Sequence, residues 1–237
     1  MTDRTTARVV GGLFIAATVA GVLSLVLEQP VVADDYLTQT SLNENRVATG
    51  TLLELIMAIA IVAIPIAIYP VLRRFSERLA LGYVVARTIE GVTFVISAMG
   101  VLTLLTLSRE FVDAGAPAAS HYQTLGASLV AGRDWVNAVL GVTAFSLSAL
   151  MLNYVLFQAR LVPRWLSVWG LVGATLFVAA GVMVLYGLDE PSSTTQVVLD
   201  LPLAVQEMVF AVWLIVKGFD APASASEPEK EPAAVGG

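Results

Sequence analysis

Six ionisable side chains interrupt otherwise apolar stretches of the chain, and their types suit proton binding, cation binding or ion pairing. They are Glu54, Arg87, Glu90, Arg133, Asp134 and Glu207. A charge at the centre of a bilayer costs roughly 2.5–3.5 kcal/mol, so such residues usually face the bundle interior and pair. Four acids against two arginines leave two carboxylates without a cation. Each of these must be protonated, hydrated or bound to something positive.

The apolar stretches around these residues predict the fold. A helix needs roughly 20 mainly apolar residues to cross about 30 Å of hydrocarbon. Asp200 is expected to cap the last such helix, with Pro202 in its first turn. We therefore predict an all-α, polytopic membrane bundle of six transmembrane helices that forms one domain over residues 1–219. The predicted spans are residues 9–27, 47–72, 79–108, 125–158, 165–188 and 201–216.

Helix geometry predicts where the six charges lie. Counting about 1.5 Å per residue from each predicted helix end puts all of them in one central band. They belong to the second, third, fourth and sixth spans, whereas the first and fifth spans carry none. Arg87 and Glu90 are three residues apart on one helix face, so we predict that they pair locally.

Arg133 is predicted to be the pivot of this buried cluster. Arg133 and Asp134 are adjacent and point about 100° apart on a helix, so they cannot both serve one partner. No acid on the same helix lies three or four residues from Arg133. We therefore expect Arg133 to bind Glu54 or Glu207 across a helix interface. Asn137, one turn further along, is expected to help satisfy this adjacent pair.

Composition excludes several classes of protein. The chain is 57% apolar and 14% charged with a mean hydropathy of +0.80, against about 45–50% and about 25% in soluble domains. Cys is absent and His121 is the one histidine, which excludes thiolate chemistry and disfavours metal or haem sites. A net charge of −6 without a basic patch disfavours nucleic acid. We expect no cofactor and no metal.

The distribution of Lys and Arg predicts the orientation. Basic residues concentrate in the segments on one side of the predicted membrane, which is typical of the cytoplasmic side. We therefore expect both termini in the cytoplasm and acidic loops outside. The basic flanks hold Arg4, Arg8, Arg73, Arg74, Arg78, Arg160, Arg164, Lys217 and Lys230, which are nine of the thirteen basic residues.

The first apolar run and the last residues of the chain each have a distinctive composition. The first apolar run follows Arg4 and Arg8 and looks somewhat like a signal peptide, but it is long for one, so we expect it to be retained. Residues 220–237 are rich in Ala, Pro, Ser and Glu. Such a segment cannot bury apolar surface, and we predict that it is disordered.

Short motifs distributed over residues 8–219 carry a resemblance to a known family. They are Leu52-Leu53-Glu54, Tyr69-Pro70, residues 79–83, 87–91, 133–135, 161–170, 206–208 and 213–219. Together they resemble the bacterial family of membrane proteins known as domain of unknown function 4386. The resemblance implies a six-span protein of a bacterial cytoplasmic membrane without an assigned activity. The family's recurring ionisable positions coincide with the six residues above, and Gln206, beside Glu207, joins the candidate site.

Three functions compete at this point. The first is a small transporter or transport subunit whose buried cluster binds H⁺ or a cation. The second is a non-enzymatic scaffold, or a module that binds a lipid or a partner, in which the cluster only locks the helices together. An intramembrane enzyme is disfavoured because the chain has no HExxH motif and no nucleophile elbow. Membrane lipids are the expected partners, with a second copy or another membrane protein as further candidates.

Overall fold

The described part of this computed structural model comprises residues 2–117, 121–191 and 193–220, and it is almost entirely helical. The tail predicted to be disordered lies, apart from Asp220, outside the described residues. The elements, in chain order, are α1 (Asp3–Leu27), a 3₁₀ turn (Gln29–Val32), α2 (Tyr36–Leu42), α3 (Glu44–Leu72), α4 (Glu77–Asp113), α5 (His121–Trp135), a π-helical segment (Val136–Gly141), α6 (Val142–Ala159), α7 (Arg164–Leu185) and α8 (Thr194–Val216).

The long helices form a closed ring. Among the described residues, six helical spans are long and apolar enough to cross a membrane, with His121–Ala159 counted as one span. α1 packs against α3, α3 against α4, α4 against α6, α6 against α7, α7 against α8, and α8 returns to α1. Large apolar side chains such as Ile59, Ile66 and Val172 point outward and are more than half exposed, as lipid contact requires. The predicted all-α bundle of six spans is confirmed.

The ring has two chemically distinct faces. α1 begins and α8 ends at the same face, where the Arg4 guanidinium donates to the carbonyls of Val216 and Lys217 at 2.9 and 2.7 Å. The segments that join α3 to α4 and α6 to α7 lie on this face, which we call the basic face. The segments after α1, α4 and α7 form the opposite, acidic face, which holds Asp34, Asp35, Glu44, Glu110, Asp113, Asp189 and Glu190.

Side-chain caps fix where the helices begin. The Ser76 hydroxyl accepts the Leu79 N–H at the start of α4, and the Ser193 hydroxyl accepts the Gln196 N–H at the start of α8. The prediction that Asp200 caps the sixth span is therefore wrong. α8 begins at Thr194, two turns earlier, and it continues through Pro202 as one helix.

α4 is longer than predicted, and α5 begins four residues before the predicted start of the fourth span. α4 has 37 residues, which at about 1.5 Å per residue exceeds the thickness of a bilayer. Residues 29–42 fold back after α1 and cover the ends of α4 and α5 at the acidic face. We call this segment the α2 cap. Val31 and Leu37 of this cap are buried against Val101, Leu104 and Phe111 of α4. The segment after the first span is thus a packed element and not a solvated loop.

An apolar layer closes the ring toward the basic face. The layer contains side chains from all six spans, among them Val10, Ile68, Tyr83, Leu156, Leu166 and Phe210, each at most 1% exposed. We call it the basic-face plug. These large buried side chains fill the space between the spans, and each makes many van der Waals contacts there.

Candidate functional site

The six predicted residues do not form one central cluster. Positions along α4 show how far apart the charged residues lie. Tyr83 belongs to the basic-face plug, Arg87 and Glu90 follow it, and Ser97 lies nearer the acidic face. Seven residues separate Glu90 from Ser97, which is about 10 Å along a helix. One cluster forms around Arg87 and a second forms around Ser97 and Arg133.

The first cluster is Arg87 held by Glu90 and Glu207. Arg87 Nη1 lies 3.2 Å from both carboxylate oxygens of Glu90, as the spacing along α4 predicts. Arg87 Nη2 donates to Glu207 Oε1 of α8 at 2.5 Å. These charge-assisted hydrogen bonds join α4 to α8 inside the ring. One guanidinium therefore faces two carboxylates.

Aromatic rings complete the surroundings of Arg87. The guanidinium carbon lies 4.8 Å from the ring centroid of Phe145, 5.6 Å from that of Phe14 and 5.8 Å from that of Tyr83. Such positions over ring faces stabilise a cation that has lost its water. They also hold the planar group in one orientation, so its charge is directed at the two carboxylates and Arg87 is only 2% exposed.

The second cluster forms around Arg133, with a partner that the sequence reasoning missed. Arg133 Nη2 donates to Glu28 Oε2, and Arg133 Nε donates to the Ser97 hydroxyl at 2.9 Å. The Thr51 hydroxyl donates to Glu28 Oε1 at 3.3 Å. Side chains of α3, α4 and α5 therefore meet the residue that ends α1, and Glu28 is 3% exposed.

The predicted contact of Arg133 with Glu54 or Glu207 is wrong. Glu207 is bound to Arg87 instead, and the partner of Arg133 is Glu28, the residue that directly follows the first predicted span. The α2 cap folds over Glu28 and removes it from water, and α3 approaches closely here, since a Cβ at Gly50 would lie 2.8 Å from Glu28 Cγ. A carboxylate that directly follows an apolar span is the signal that would have identified Glu28.

Glu54 is buried in this second cluster without a direct partner for one oxygen. It lies one turn deeper than Thr51 on α3 and is 3% exposed, and its Oε2 has no hydrogen-bond partner within the described part of the chain. Asn137 reaches the same cluster, where its Nδ2 lies 3.3 Å from the Ser97 hydroxyl. The predicted help from Asn137 is therefore indirect, because it shares Ser97 with Arg133. The second cluster also has one arginine and two carboxylates.

Asp134 and Gln206 lie outside both clusters. Asp134 is exposed and lines a cavity of about 670 Å³ on the acidic face, together with Trp135, Gly187, Asp189 and Glu190. We call this cavity the acidic vestibule. The prediction that Asp134 belongs to the buried central cluster is wrong, because its side chain is exposed and lies level with the end of α7.

Gln206 connects three helices in a separate contact. Its amide donates to Asn153 Oδ1 of α6 at 3.2 Å and to the Leu166 carbonyl of α7 at 3.3 Å. Gly170 makes room for the Asn153 carboxamide, because a Cβ at this position would overlap it. Gln206 thus stabilises the packing of α8, and it points away from its neighbour Glu207, as adjacent helical residues do.

The first cluster faces a cavity at the centre of the ring. Its volume is about 410 Å³, and all six spans contribute to its wall. Glu90, Arg87 and Glu207 are on the side of the basic-face plug, and Asn137 lies toward the second cluster. We call this space the central cavity. The rest of the wall is mainly apolar. Each span contributes at least one apolar residue to it, among them Phe14, Ile61, Phe94, Phe145, Phe177 and Ala204.

The π-helical segment separates the central cavity from the acidic vestibule. Asn137 and Gly141 of this segment line the central cavity, whereas Ala138 lines the vestibule. π-Helical turns are rare, and they occur frequently at functional sites because they move side chains out of the regular helical register. Here the widened turn begins three residues after Arg133. The candidate site therefore consists of two buried clusters along α4, the cavity beside the first, and a vestibule on the acidic face.

Comparison with known proteins agrees with the motifs quoted above. No curated protein and no solved structure matches the chain. The family model described as "Domain of unknown function (DUF4386)" matches residues 9–218. That range includes five of the six spans whole, all but the first six residues of α1, and every residue of the two clusters. The chain is an integral membrane protein, and it belongs to the DUF4386 family.

Proposed function

We propose that this protein is a small membrane transporter, or a transport subunit, in which the central cavity binds H⁺ or a cation. The observation that carries the proposal is the position of Glu207 and Glu90 in a cavity to whose wall all six spans contribute. A cavity at the common centre of the spans changes shape whenever any of them moves. Transporters place their sites near the midplane, between the moving parts, for this reason.

The charge balance supports the same proposal. Arg87 neutralises one of its two carboxylates, so the first cluster carries one negative charge in excess when both acids are ionised. An excess charge in a medium of low dielectric constant is relieved by a proton or by a bound cation. The cluster therefore suits a cycle in which a cation and H⁺ alternate on the same carboxylates.

The closed basic-face plug supports an occluded step in such a cycle. On that side, Tyr83, Phe210 and the other buried plug residues pack between the cavity and the basic face. On the other side, the α2 cap and the second cluster lie between the cavity and the acidic face. Transport would require the plug and the cap to open in turn. We further propose that the basic face is cytoplasmic, since it concentrates the arginines.

Proton flux tests the proposal directly. The full-length protein is reconstituted in liposomes that contain a pH-sensitive dye, and flux is measured under an imposed pH gradient or cation gradient. We expect flux from the wild type and its loss in Glu207→Gln, because the amide can still accept a bond from Arg87 but cannot exchange H⁺. Glu77→Gln is the matched control, since Glu77 is exposed on α4 at the basic face.

A scaffold is the second candidate, and the interhelical ion pairs favour it. Arg87 joins α4 to α8, and Arg133 joins α5 to the end of α1. If these pairs serve only as clamps, the wild type gives no flux under any gradient. Glu207→Gln then lowers the thermal stability without any other effect. Flux that is unchanged in Glu207→Gln would contradict the proposal that this carboxylate carries the proton.

A further inference from the structure

We propose that the central cavity is a binding site for an organic monocation with an apolar body, such as an aromatic or alkyl quaternary ammonium ion. The inference rests on the proposed function in so far as both use the carboxylates of the first cluster, and it names the class of the bound molecule. It depends on three features of the cavity: the charge that is accessible, the chemistry of the wall and the route of entry.

The accessible charge in the cavity is negative. The side chain of Glu207 is 18% exposed, whereas that of Arg87 is 3% exposed and that of Glu90 is 6% exposed. Both terminal nitrogens of Arg87 already donate to carboxylates, and its face is covered by aromatic rings. A ligand that enters the cavity therefore meets the carboxylate of Glu207 before it meets the guanidinium. An anion would have to displace Glu207 from Arg87, whereas a cation binds beside the pair as it stands.

The wall of the cavity favours an organic cation over an inorganic one. Mg²⁺ and Ca²⁺ need six or more oxygen ligands, and within the described residues no group of three or more metal-ligating side chains is close enough to hold a metal ion. The wall instead presents the rings of Phe94 and Phe177, together with the edges of Phe14 and Phe145, whose faces cover Arg87. Aromatic rings around a carboxylate are the surroundings that recognise quaternary ammonium groups. The volume of about 410 Å³ is that of a small-molecule site.

The acidic vestibule gives such a cation a route of entry. Asp134, Asp189 and Glu190 line it on the acidic face, and Trp135 adds an aromatic surface beside them. A concave surface of one charge sign concentrates ions of the opposite sign. The vestibule and the cavity are on opposite sides of the π-helical segment, because adjacent residues Asn137 and Ala138 line one each. Movement of this segment would connect the two spaces.

Calorimetric titration of the purified full-length protein in a neutral detergent tests the inference. The probe is benzyltrimethylammonium, and its control is neopentylbenzene, which has the same shape without the charge. We expect saturable binding of the cation and binding of the neutral isostere at least about tenfold weaker. NaCl at the same concentration should not displace the cation. This comparison needs only the wild type, so it does not depend on whether any variant folds.

Variants then locate the site. Glu207→Gln and Phe94→Leu should each weaken binding of the cation, Glu207→Gln by at least about tenfold. Their matched controls are Glu77→Gln on the same helix as Phe94 and Phe75→Leu, an exposed phenylalanine at the basic face. Both controls should bind like the wild type. Equal effects of the site variants and of the controls would overturn the assignment to this cavity.

The outcomes separate this inference from the proposed function. Proton flux that Glu207→Gln abolishes, together with no binding of benzyltrimethylammonium, would leave transport standing and overturn the inference. Equal binding of the cation and its neutral isostere would also overturn it, because the carboxylate would then have no role in recognition. Saturable binding of the cation that needs Glu207, in a protein without any flux, would support the inference and count against transport.

Discussion

The pair of Arg133 and Glu28 yields the sharpest test of the buried clusters. Replacement of Arg133 with Met keeps much of the side-chain volume and removes the positive charge. Glu28, with a side chain 2% exposed, would then be buried without its cation, and Glu54 would lie close by with an unpaired oxygen. Breaking a buried ion pair by removing one partner costs about 3–5 kcal/mol. Because the Arg133 side chain is 13% exposed, we expect the lower end, about 3 kcal/mol.

Equilibrium unfolding in mixed micelles measures this loss, and a double-mutant cycle assigns it to the pair. The single variants are Arg133→Met and Glu28→Gln, and the double variant combines them. We expect the double variant to be more stable than the sum of the single effects implies, by about 1–3 kcal/mol, because it leaves no buried charge unpaired. Stability is measured as a free energy of unfolding at one fixed pH.

A matched pair on the surface supplies the control. Arg109 Nε lies 2.7 Å from Glu44 Oε2, and these side chains are 54% and 43% exposed. Exposed ion pairs contribute about 0–1 kcal/mol, so the same cycle on Arg109 and Glu44 should give a coupling near zero. An Arg133→Met variant as stable as the wild type would refute the reasoning. So would additive effects of the two buried substitutions, because they would mean that Arg133 and Glu28 do not stabilise each other.

Three further predictions test the packing, the topology and the acidic face. Gly170→Ala should destabilise the protein by about 1–3 kcal/mol because a Cβ would overlap the Asn153 carboxamide, whereas Gly12→Ala, in open space, should change the free energy of unfolding by less than about 1 kcal/mol. A thiol-specific reagent outside intact cells should label Ser193→Cys and not Ser76→Cys, two N-cap positions on opposite faces; the reverse would overturn the orientation. Hydrogen bonds from Ser193 and Gln196 lower the pKa of Asp189, so the ionised form stabilises the start of α8. The difference in melting temperature between the wild type and Asp189→Asn should be full near neutral pH, begin to shrink near pH 4, and disappear as the pH falls through the lowered pKa of Asp189; a constant difference would contradict this.

Local pattern was enough to predict the spans and one of the ion pairs. An apolar run of the right length becomes a membrane span whatever its neighbours are, since lipid leaves the backbone no other partners. The contact between Arg87 and Glu90 is likewise local, because three residues along a helix put both side chains on one face. These predictions needed no knowledge of how the six spans are arranged in the ring.

The second cluster could not be predicted from local sequence pattern, because its formation depends on the packing of the α2 cap. Whether Glu28 is solvated or buried is decided by residues 29–42, which fold back on α4, and this contact is set by tertiary packing. The placement of Asp134 in the central cluster was wrong for a related reason, since α5 packs against the cap and brings Asp134 level with the end of α7. The bond from Gln206 to Asn153 joins residues 53 positions apart and has no local signal.

The composition of the two clusters favours a cation path over a clamp. A clamp between helices is best made from equal numbers of arginines and carboxylates, because every further buried carboxylate adds a desolvation cost without another ion pair. Each cluster here holds one arginine with two carboxylates, Arg87 with Glu90 and Glu207, and Arg133 with Glu28 and Glu54. The two excess carboxylates do not strengthen the ring. On the transport proposal, they would provide two successive sites, about 10 Å apart along α4, at which one proton or one cation restores neutrality.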